Sequence, residues 1–102
     1  MKQFEVYANP SARDRDIAPY VVVLQSHFLD LPTVVVAPLL RGESAERLVY
    51  LSIDVTISGD GFVVSLHELA TVTLRSLRRR VADLTEQQDA IVRGLGRLFS
   101  GF

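Results

Sequence analysis

The chain has 102 residues, of which 48% are apolar and 23% are charged, and its formal net charge at pH 7 is −1. This charge excludes a global attraction to nucleic acid, and the absence of cysteine excludes disulfides, thiol catalysis and cysteine-bound metals. No apolar run reaches the ~18 residues of a membrane span, and no secretion leader is evident, so we expect one cytoplasmic domain over residues 1–102.

Short β-strands are predicted from the start of the chain. Residues 3–7 alternate, with Phe4 and Val6 on one side. The polar loop at residues 8–19 offers little to bury, and we expect it to be mobile. Residues 20–25 and 34–39 are apolar runs without alternation. They predict strands buried on both faces, where one cover could be a partner chain.

The second half of the chain gives the clearest strand signal. Residues 51–58 alternate strictly between apolar and polar side chains. The Gly59-Asp60-Gly61 turn supplies positive-φ positions, and residues 62–66 return as the second arm of a hairpin. Residues 71–77 are predicted as one more strand. The link at residues 41–47 is polar, with room for one helical turn. The basic run at residues 78–80 is interpreted as a solvated corner in preference to a phosphate site, because no aromatic residue interleaves with it to stack on bases.

An amphipathic helix is predicted to begin after Leu84 and to run almost to the chain end. Thr85 and Gln88 match a capping box at its start. Two glycines, Gly94 and Gly96, each cost about 1 kcal/mol in a helix, so we expect another group to approach the helix closely there. Apolar residues at helical spacing predict one stripe: Leu84, Ile91, Val92, Leu95, Leu98 and Phe99.

These elements predict a mostly β fold: a compact, partly open β-barrel with the helix packed at its edge. No motif of a hydrolase, zinc protease, P-loop or dinucleotide-binding protein is present, and no cofactor or metal site is predicted. His27 lies near Asp30 in sequence and could form an acid–base pair, although both histidines are interpreted as exposed polar residues.

Several segments, in order and spacing, resemble the CcdB family of toxins from toxin–antitoxin systems. They are QFEVY, VVLQSHFLDLP, VVVAPL, IDVTISGDGFVVS, ELATVTLRSL, VADLTEQQDAI and LFSGF. The resemblance implies an SH3-like, partly open β-barrel of the CcdB/MazF type with a C-terminal α-helix, and it implies a homodimer. It also implies a protein that is not an enzyme. Such a toxin binds the gyrase A subunit and traps the gyrase–DNA cleavage complex.

The resemblance assigns two sets of contact residues. The gyrase-binding set is Phe28, Leu29, Gly96, Phe99, Ser100, Gly101 and Phe102. A CcdA-like antitoxin with a disordered C-terminal tail neutralises such a toxin, and its expected contacts are Asn9, Ser11, Arg13, Asp14, Arg15, Arg41 and Glu43. No membrane contact and no direct nucleic-acid binding by the toxin alone are expected. Whether the toxin–antitoxin complex also regulates transcription from its own promoter stays open.

The chain departs from the family pattern at two places. Ser100 stands where the best-known members carry Trp, and Arg79-Arg80 replace an acidic pair. Two alternatives stay open. One is a chromosomal relative that keeps only the dimer and antitoxin binding. The other is a MazF-like mRNA endoribonuclease on the same fold, whose candidate residues are Arg13, Arg15, His27 and Arg41.

Overall fold

The computed structural model describes residues 1–27, 30–43 and 45–101. Within these ranges, seven antiparallel strands form one curled half-barrel sheet, and one α-helix follows them. The mostly β class with a C-terminal helix is confirmed. No helix in the described ranges is long and apolar enough to cross a membrane. The elements are β1 (Glu5–Ala8), β2 (Tyr20–Val23), β3 (Thr33–Arg41), β4 (Ser52–Ile57), β5 (Asp60–Ser65), β6 (Ala70–Thr73), β7 (Arg80–Asp83) and α1 (Gln88–Ser100), with 3-10 turns at Ala12–Asp14, Leu74–Ser76 and Thr85–Gln87.

The nine-residue strand β3 is the centre of the sheet. The strand order is β4-β5-β3-β2-β1-β7, and β6 also pairs with β3. Residues 33–36 of β3 pair with β6, whereas residues 39–41 pair with β5. Pro38, which has no amide hydrogen to donate, lies between these two stretches. The sheet can therefore divide at β3 and curl without a missing ladder hydrogen bond.

Hydrophobic side chains pack on both faces of the sheet. The main core contains Val22, Leu39 and Val64 from the strands together with Leu84 and Ile91 from the helical end. On the opposite face, a second cluster is covered by the chain itself. The second cluster is Tyr7, Val21, Val23, Val34 and Val36, packed against Val72, Leu74 and Leu77. The prediction that β2 is buried on both faces is confirmed, and no partner chain is needed to cover it.

The hairpin of β4 and β5 follows the predicted alternation, with a turn one residue earlier than expected. Val55 and Ile57 are buried and Asp54 is exposed. Ile57 pairs with Asp60, so the loop has two residues, Ser58 and Gly59, with φ of 53° and 86°. Two positive φ values match the right-handed twist of a hairpin. The sequence predicted positive φ at residues 59–61. A glycine shows where positive φ costs little, but it does not show which residues of the two strands pair.

Three other segments differ from prediction. The strand expected at residues 71–77 ends at Thr73, and a 3-10 turn replaces its second half. The described residues of the 41–47 link contain no helical turn; Arg47 instead binds Asp54 at 2.9 Å. The corner expected at residues 78–80 leads into β7, which pairs with β1. A four-residue strand with two half-buried positions gives too little periodicity to detect locally.

A buried carboxylate joins β7 to the start of the chain. Glu5 is 9% exposed, and its Oε2 accepts a hydrogen bond from Arg80 Nε at 2.6 Å. Its Oε1 accepts from the Lys2 amide at 2.6 Å and from the Tyr7 hydroxyl at 3.1 Å. Burial alone would raise the pKa of Glu5, but these hydrogen bonds and the Arg80 charge outweigh it and hold the pKa below the ordinary 4.5.

The helical segment starts at a carboxylate and not at the predicted capping box. Asp83 Oδ1 accepts a hydrogen bond from the Thr85 amide at 2.7 Å and another from the Thr85 hydroxyl. These bonds from Thr85 lower the pKa of Asp83 from its ordinary 3.8. The N-cap residues of the 3-10 turn and of α1 make no side-chain cap hydrogen bond, and the Thr85 hydroxyl binds Asp83, so the capping box predicted for Thr85 and Gln88 is wrong. Thr85 begins a 3-10 turn and α1 starts only at Gln88, so the two residues are not the N-cap and N3 positions of one α-helix that a capping box requires.

The two helix glycines have different surroundings. A Cβ at Gly94 would overlap a methyl group of Leu66 and lie 2.5 Å from the carbonyl oxygen of Tyr50. A Cβ at Gly96 would meet nothing within 4 Å. The predicted close approach is therefore confirmed at Gly94, and within this chain it is wrong at Gly96.

We expect Gly94→Ala to lower the free energy of unfolding by about 1–3 kcal/mol, because a methyl group there collides with a backbone carbonyl. Gly96→Ala is the matched control. It adds the same methyl group to the same helix in open space and should raise the free energy of unfolding by about 1 kcal/mol. Urea unfolding followed by circular dichroism measures both. Equal effects of the two substitutions would contradict the close packing at Gly94.

The Glu5–Arg80 pair predicts an acid-dependent loss of stability. The folded-state pKa of Glu5 is lowered, so its contribution is present above the ordinary value of 4.5 and is lost as pH falls through the folded-state pKa. We expect Arg80→Met to cost about 1 kcal/mol at pH 7 and to flatten this acid dependence. Urea unfolding between pH 7 and pH 3 tests this, with Arg79→Met as control. An unchanged pH dependence in Arg80→Met would refute the assignment.

Candidate interaction surfaces

One face of α1 is attached to the sheet. Ile91 is fully buried, Gly94 is buried, and Leu95 is partly buried against the main core. Leu84, which precedes the 3-10 turn, is 4% exposed and joins the same core. This face fixes the rotation of the helix about its axis.

The adjacent edge of α1 is open and apolar. Val92 is 53% exposed and Phe99 is 72% exposed, and Gly96 lies between them at helical spacing. We call Val92, Gly96 and Phe99 the helix edge. The single apolar stripe expected from the sequence is wrong in part, because Val92 and Phe99 point away from the core that Ile91 enters. The family resemblance assigned Gly96 and Phe99 to the gyrase-binding set but did not include Val92. Val92 and Phe99 are seven residues apart, about two helical turns, and this spacing could have indicated that they share a face.

The helix ends at a left-handed glycine next to this edge. Gly101 has φ of 73°, and its amide donates to the Arg97 carbonyl at 3.0 Å. This is the usual helix-ending conformation, and glycine adopts it without a steric penalty. Ser100 and Gly101 are exposed. Of the predicted gyrase-binding residues, Phe28, Leu29 and Phe102 lie outside the described residues.

A turn before β4 covers the other flank of the helix. The Arg97 guanidinium lies 3.9 Å from the centre of the Tyr50 ring, a cation–π contact. Tyr50 has φ of 67°, and its carbonyl oxygen is the group that approaches Gly94. The helix is therefore held on two sides while the helix edge stays open.

The loop at residues 8–19 is organised by Asn9. This side chain is 8% exposed, and its Nδ2 donates to the Ala18 carbonyl at 2.8 Å. Its Oδ1 accepts from the Ser11 amide at 2.9 Å, and its backbone carbonyl accepts from Arg15 Nε at 2.6 Å. A loop expected to be mobile thus has a defined hydrogen-bond network. Asn9 holds this network together and has little surface left for a partner.

The other predicted antitoxin contacts are accessible. Ser11 Oγ donates to Asp14 Oδ2 at 2.9 Å, and the Arg13 side chain is 93% exposed with its Nε 4.0 Å from Asp14. Arg15, Arg41 and Glu43 are exposed. Arg15 and Arg41 lie together, whereas Arg13 and Glu43 do not share their groove.

Four arginines line one open groove of about 760 Å³: Arg15, Arg41, Arg78 and Arg79. We call it the arginine groove. The strand order brings the four arginines together. Arg41 ends β3 beside the start of β2, and Arg78 and Arg79 precede β7, whose start lies beside the end of β1. The Ala8 amide donates to the Arg79 carbonyl at 2.9 Å, and Tyr20 pairs with Leu39. From the sequence, Arg78 and Arg79 were interpreted as part of a solvated corner in preference to a phosphate-binding run, and they were not among the predicted site residues.

The arginine groove has cationic groups but lacks an evident catalytic set. Of the four ribonuclease candidates, Arg15 and Arg41 line it, whereas Arg13 and His27 do not. Asp16 is its one lining acid in the described ranges. Across all the residues that the structure describes, no three or more histidine, aspartate or glutamate side chains lie close enough together to hold a metal ion. The composition of the lining suits the binding of an anion, since it contains four arginines and one acidic residue.

Comparison with known proteins gives a family and a fold. A family model described as CcdB protein matches residues 3–101. No curated protein sequence matches the chain. A solved structure of the Mycobacterium tuberculosis toxin MazF-mt6 is similar, with 23% identity and a TM-score of 0.66, covering 81% of this chain and 92% of that chain. At this identity the likeness shows the fold alone.

Proposed function

Because the chain belongs to the CcdB family of toxins, we propose that it binds the gyrase A subunit and traps the gyrase–DNA cleavage complex. It acts as a homodimer in the cytoplasm, and a CcdA-like antitoxin neutralises it. The toxin performs no reaction of its own in this proposal. The observation that carries the proposal is an open apolar edge on a helix that is otherwise held in place.

The helix edge has the properties of a binding anchor. Phe99 is 72% exposed, and complete burial of such a side chain contributes about 1.5–3 kcal/mol. Aromatic side chains in a rigid setting dominate many protein interfaces. Gly94 and the Tyr50–Arg97 contact fix the helix before binding, so little conformational entropy is lost when a target docks.

Ser100 changes the chemistry of this anchor. A serine where the best-known family members carry tryptophan removes a large stacking surface from the exposed end of the helix. Val92 adds apolar area at the other end of the same edge. In the proposed homodimer, two copies of the edge lie together as one docking ridge, so the apolar contact is doubled without new residues.

The antitoxin is proposed to bind the polar segments at residues 8–16 and 41–46. Arg13, Arg15 and Arg41 present exposed cationic groups there. Asn9 contributes indirectly, because its hydrogen bonds hold the loop in shape. A disordered tail that folds on this surface would gain charge-assisted hydrogen bonds to the guanidinium groups.

The positive charge of the arginine groove is one observation that favours the ribonuclease alternative. Phosphate oxygens can be held by such a set of guanidinium groups. Cleavage also needs a base beside the attacking hydroxyl, and among the described lining residues Asp16 is the one carboxylate. We therefore keep this activity as the second candidate and test both in parallel.

We expect the purified chain, incubated with gyrase and supercoiled plasmid, to produce cleaved DNA that is released by detergent. Phe99→Ala should reduce the trapped DNA at least tenfold, since it removes the largest exposed anchor of the helix edge. Val49→Ala is the control, because Val49 is 79% exposed and lies outside α1. Sedimentation shows whether each variant keeps the oligomeric state of the parent chain.

The outcomes separate the candidates. Equal trapping by Phe99→Ala and the parent chain would show that the helix edge is not the gyrase contact. A parallel incubation with messenger RNA that yields fragments would support the endoribonuclease. If neither DNA nor RNA is cleaved, both activities are refuted, and the relative that keeps only its dimer and antitoxin binding becomes the leading candidate.

A further inference from the structure

We infer that the arginine groove binds an acidic, extended segment of the antitoxin, with Arg78 and Arg79 as its main charge contacts. The inference rests on the proposed function, in that a linear antitoxin segment is the occupant. It adds a chemical class for that segment and two residues that the sequence assigned to a solvated corner.

The run of three arginines divides into two roles. Arg80 binds Glu5 at 2.6 Å and belongs to the fold. Arg78 and Arg79 line the groove and are exposed, and within the described residues neither makes an ion pair. Two adjacent cations without a carboxylate partner, in a chain of net charge −1, are a local charge excess that an acidic ligand can neutralise.

Two further guanidinium groups are held in the groove by backbone carbonyls. Arg15 Nε donates to the Asn9 carbonyl at 2.6 Å, and Arg41 Nε donates to the Asp16 carbonyl at 3.1 Å. Both acceptor carbonyls belong to the loop at residues 8–19, and the hydrogen bonds of Asn9 hold this loop in shape. A guanidinium group fixed by one N–H can present another N–H to a carboxylate, and a fixed group loses less entropy on binding.

The lining of the groove favours a peptide over single-stranded nucleic acid. Proteins that bind single strands combine positive charge with aromatic rings on which bases stack. Tyr20 is the one aromatic residue among the described groove residues, and it is half-buried with its ring packed edge-on against Phe62 at 5.2 Å. The groove therefore offers charge without a stacking platform.

A mainly apolar cavity lies beside the arginine groove. It has a volume of about 350 Å³, and its walls include Ile17, Val21, Leu40 and Val72, with the carboxylates Asp14 and Glu68 also in the lining. The apolar side chains of a bound segment would lie against these walls, and its acidic side chains would lie on the groove side, away from the two carboxylates. Pro10 borders both the cavity and the groove. An extended peptide places successive side chains on opposite sides, so a segment that alternates acidic and apolar residues can reach both.

The sheet also offers a backbone contact. Strand β7 starts directly after Arg79 and pairs with β1, and none of the described strands pairs with its other side. An extended segment that leaves the groove can add to such an edge by main-chain hydrogen bonds.

The test uses the full chain and a labelled synthetic peptide in which glutamates alternate with apolar residues. Fluorescence anisotropy should show binding, and a peptide with glutamine in place of glutamate should bind at least tenfold more weakly. We expect the double variant Arg78→Gln, Arg79→Gln to lose at least tenfold in affinity for the acidic peptide. Arg75→Gln, Arg93→Gln removes the same charge from exposed positions outside the groove and should stay within about twofold.

Three results would overturn the inference: no binding of the acidic peptide, equal binding by the Arg78, Arg79 double variant, or preference for an oligouridylate of equal length that depends on these two arginines. The gyrase assay separates this failure from that of the proposed function. The double variant should trap cleaved DNA as the parent chain does, because neither arginine belongs to the helix edge. Absence of trapping by the parent chain would refute gyrase poisoning while the peptide result stands by itself.

Discussion

The contact between Gly94 and the Tyr50 turn determines the rotation of α1, and the exposed surface of the helix depends on that rotation. Tyr50 approaches with its carbonyl oxygen, where any side chain larger than hydrogen would collide, and its ring receives Arg97. With Ile91 in the main core, Val92 and Phe99 must point outward. A glycine that weakens the isolated helix therefore places the helix edge, which shows how packing can outweigh intrinsic propensity.

The arginine groove depends on a different set of contacts. The antiparallel order of β3, β2, β1 and β7 brings the ends of these strands together, and the Glu5–Arg80 pair fastens β7 to the start of the chain. Arg80 satisfies a buried carboxylate, so Arg78 and Arg79 are left to face solvent. Since the groove and the helix edge share no element, substitutions can alter one surface without altering the other.

The two surfaces suit binding in different ways. The helix edge is apolar and fixed, and in the proposed gyrase contact its contribution to affinity would come from burial of Phe99 and Val92. The arginine groove is cationic, and in the proposed antitoxin contact its contribution would come from charge-assisted hydrogen bonds. A shared fold does not decide between binding and catalysis, because chemistry depends on the side chains placed on it. The similarity to MazF-mt6 therefore informs the architecture, and the function is argued from these two surfaces.

The sequence by itself determined the elements whose signals are local. Strict alternation gave β4, helical spacing gave the terminal helix, and the family resemblance, confirmed over residues 3–101, gave the toxin class. The tertiary structure alone decided β7, the split of the apolar stripe and the contrast between Gly94 and Gly96. It also decided the meeting of Arg15, Arg41, Arg78 and Arg79. Each of these depends on residues distant in sequence, and periodicity within one segment carries no information about which distant segment will pack against it.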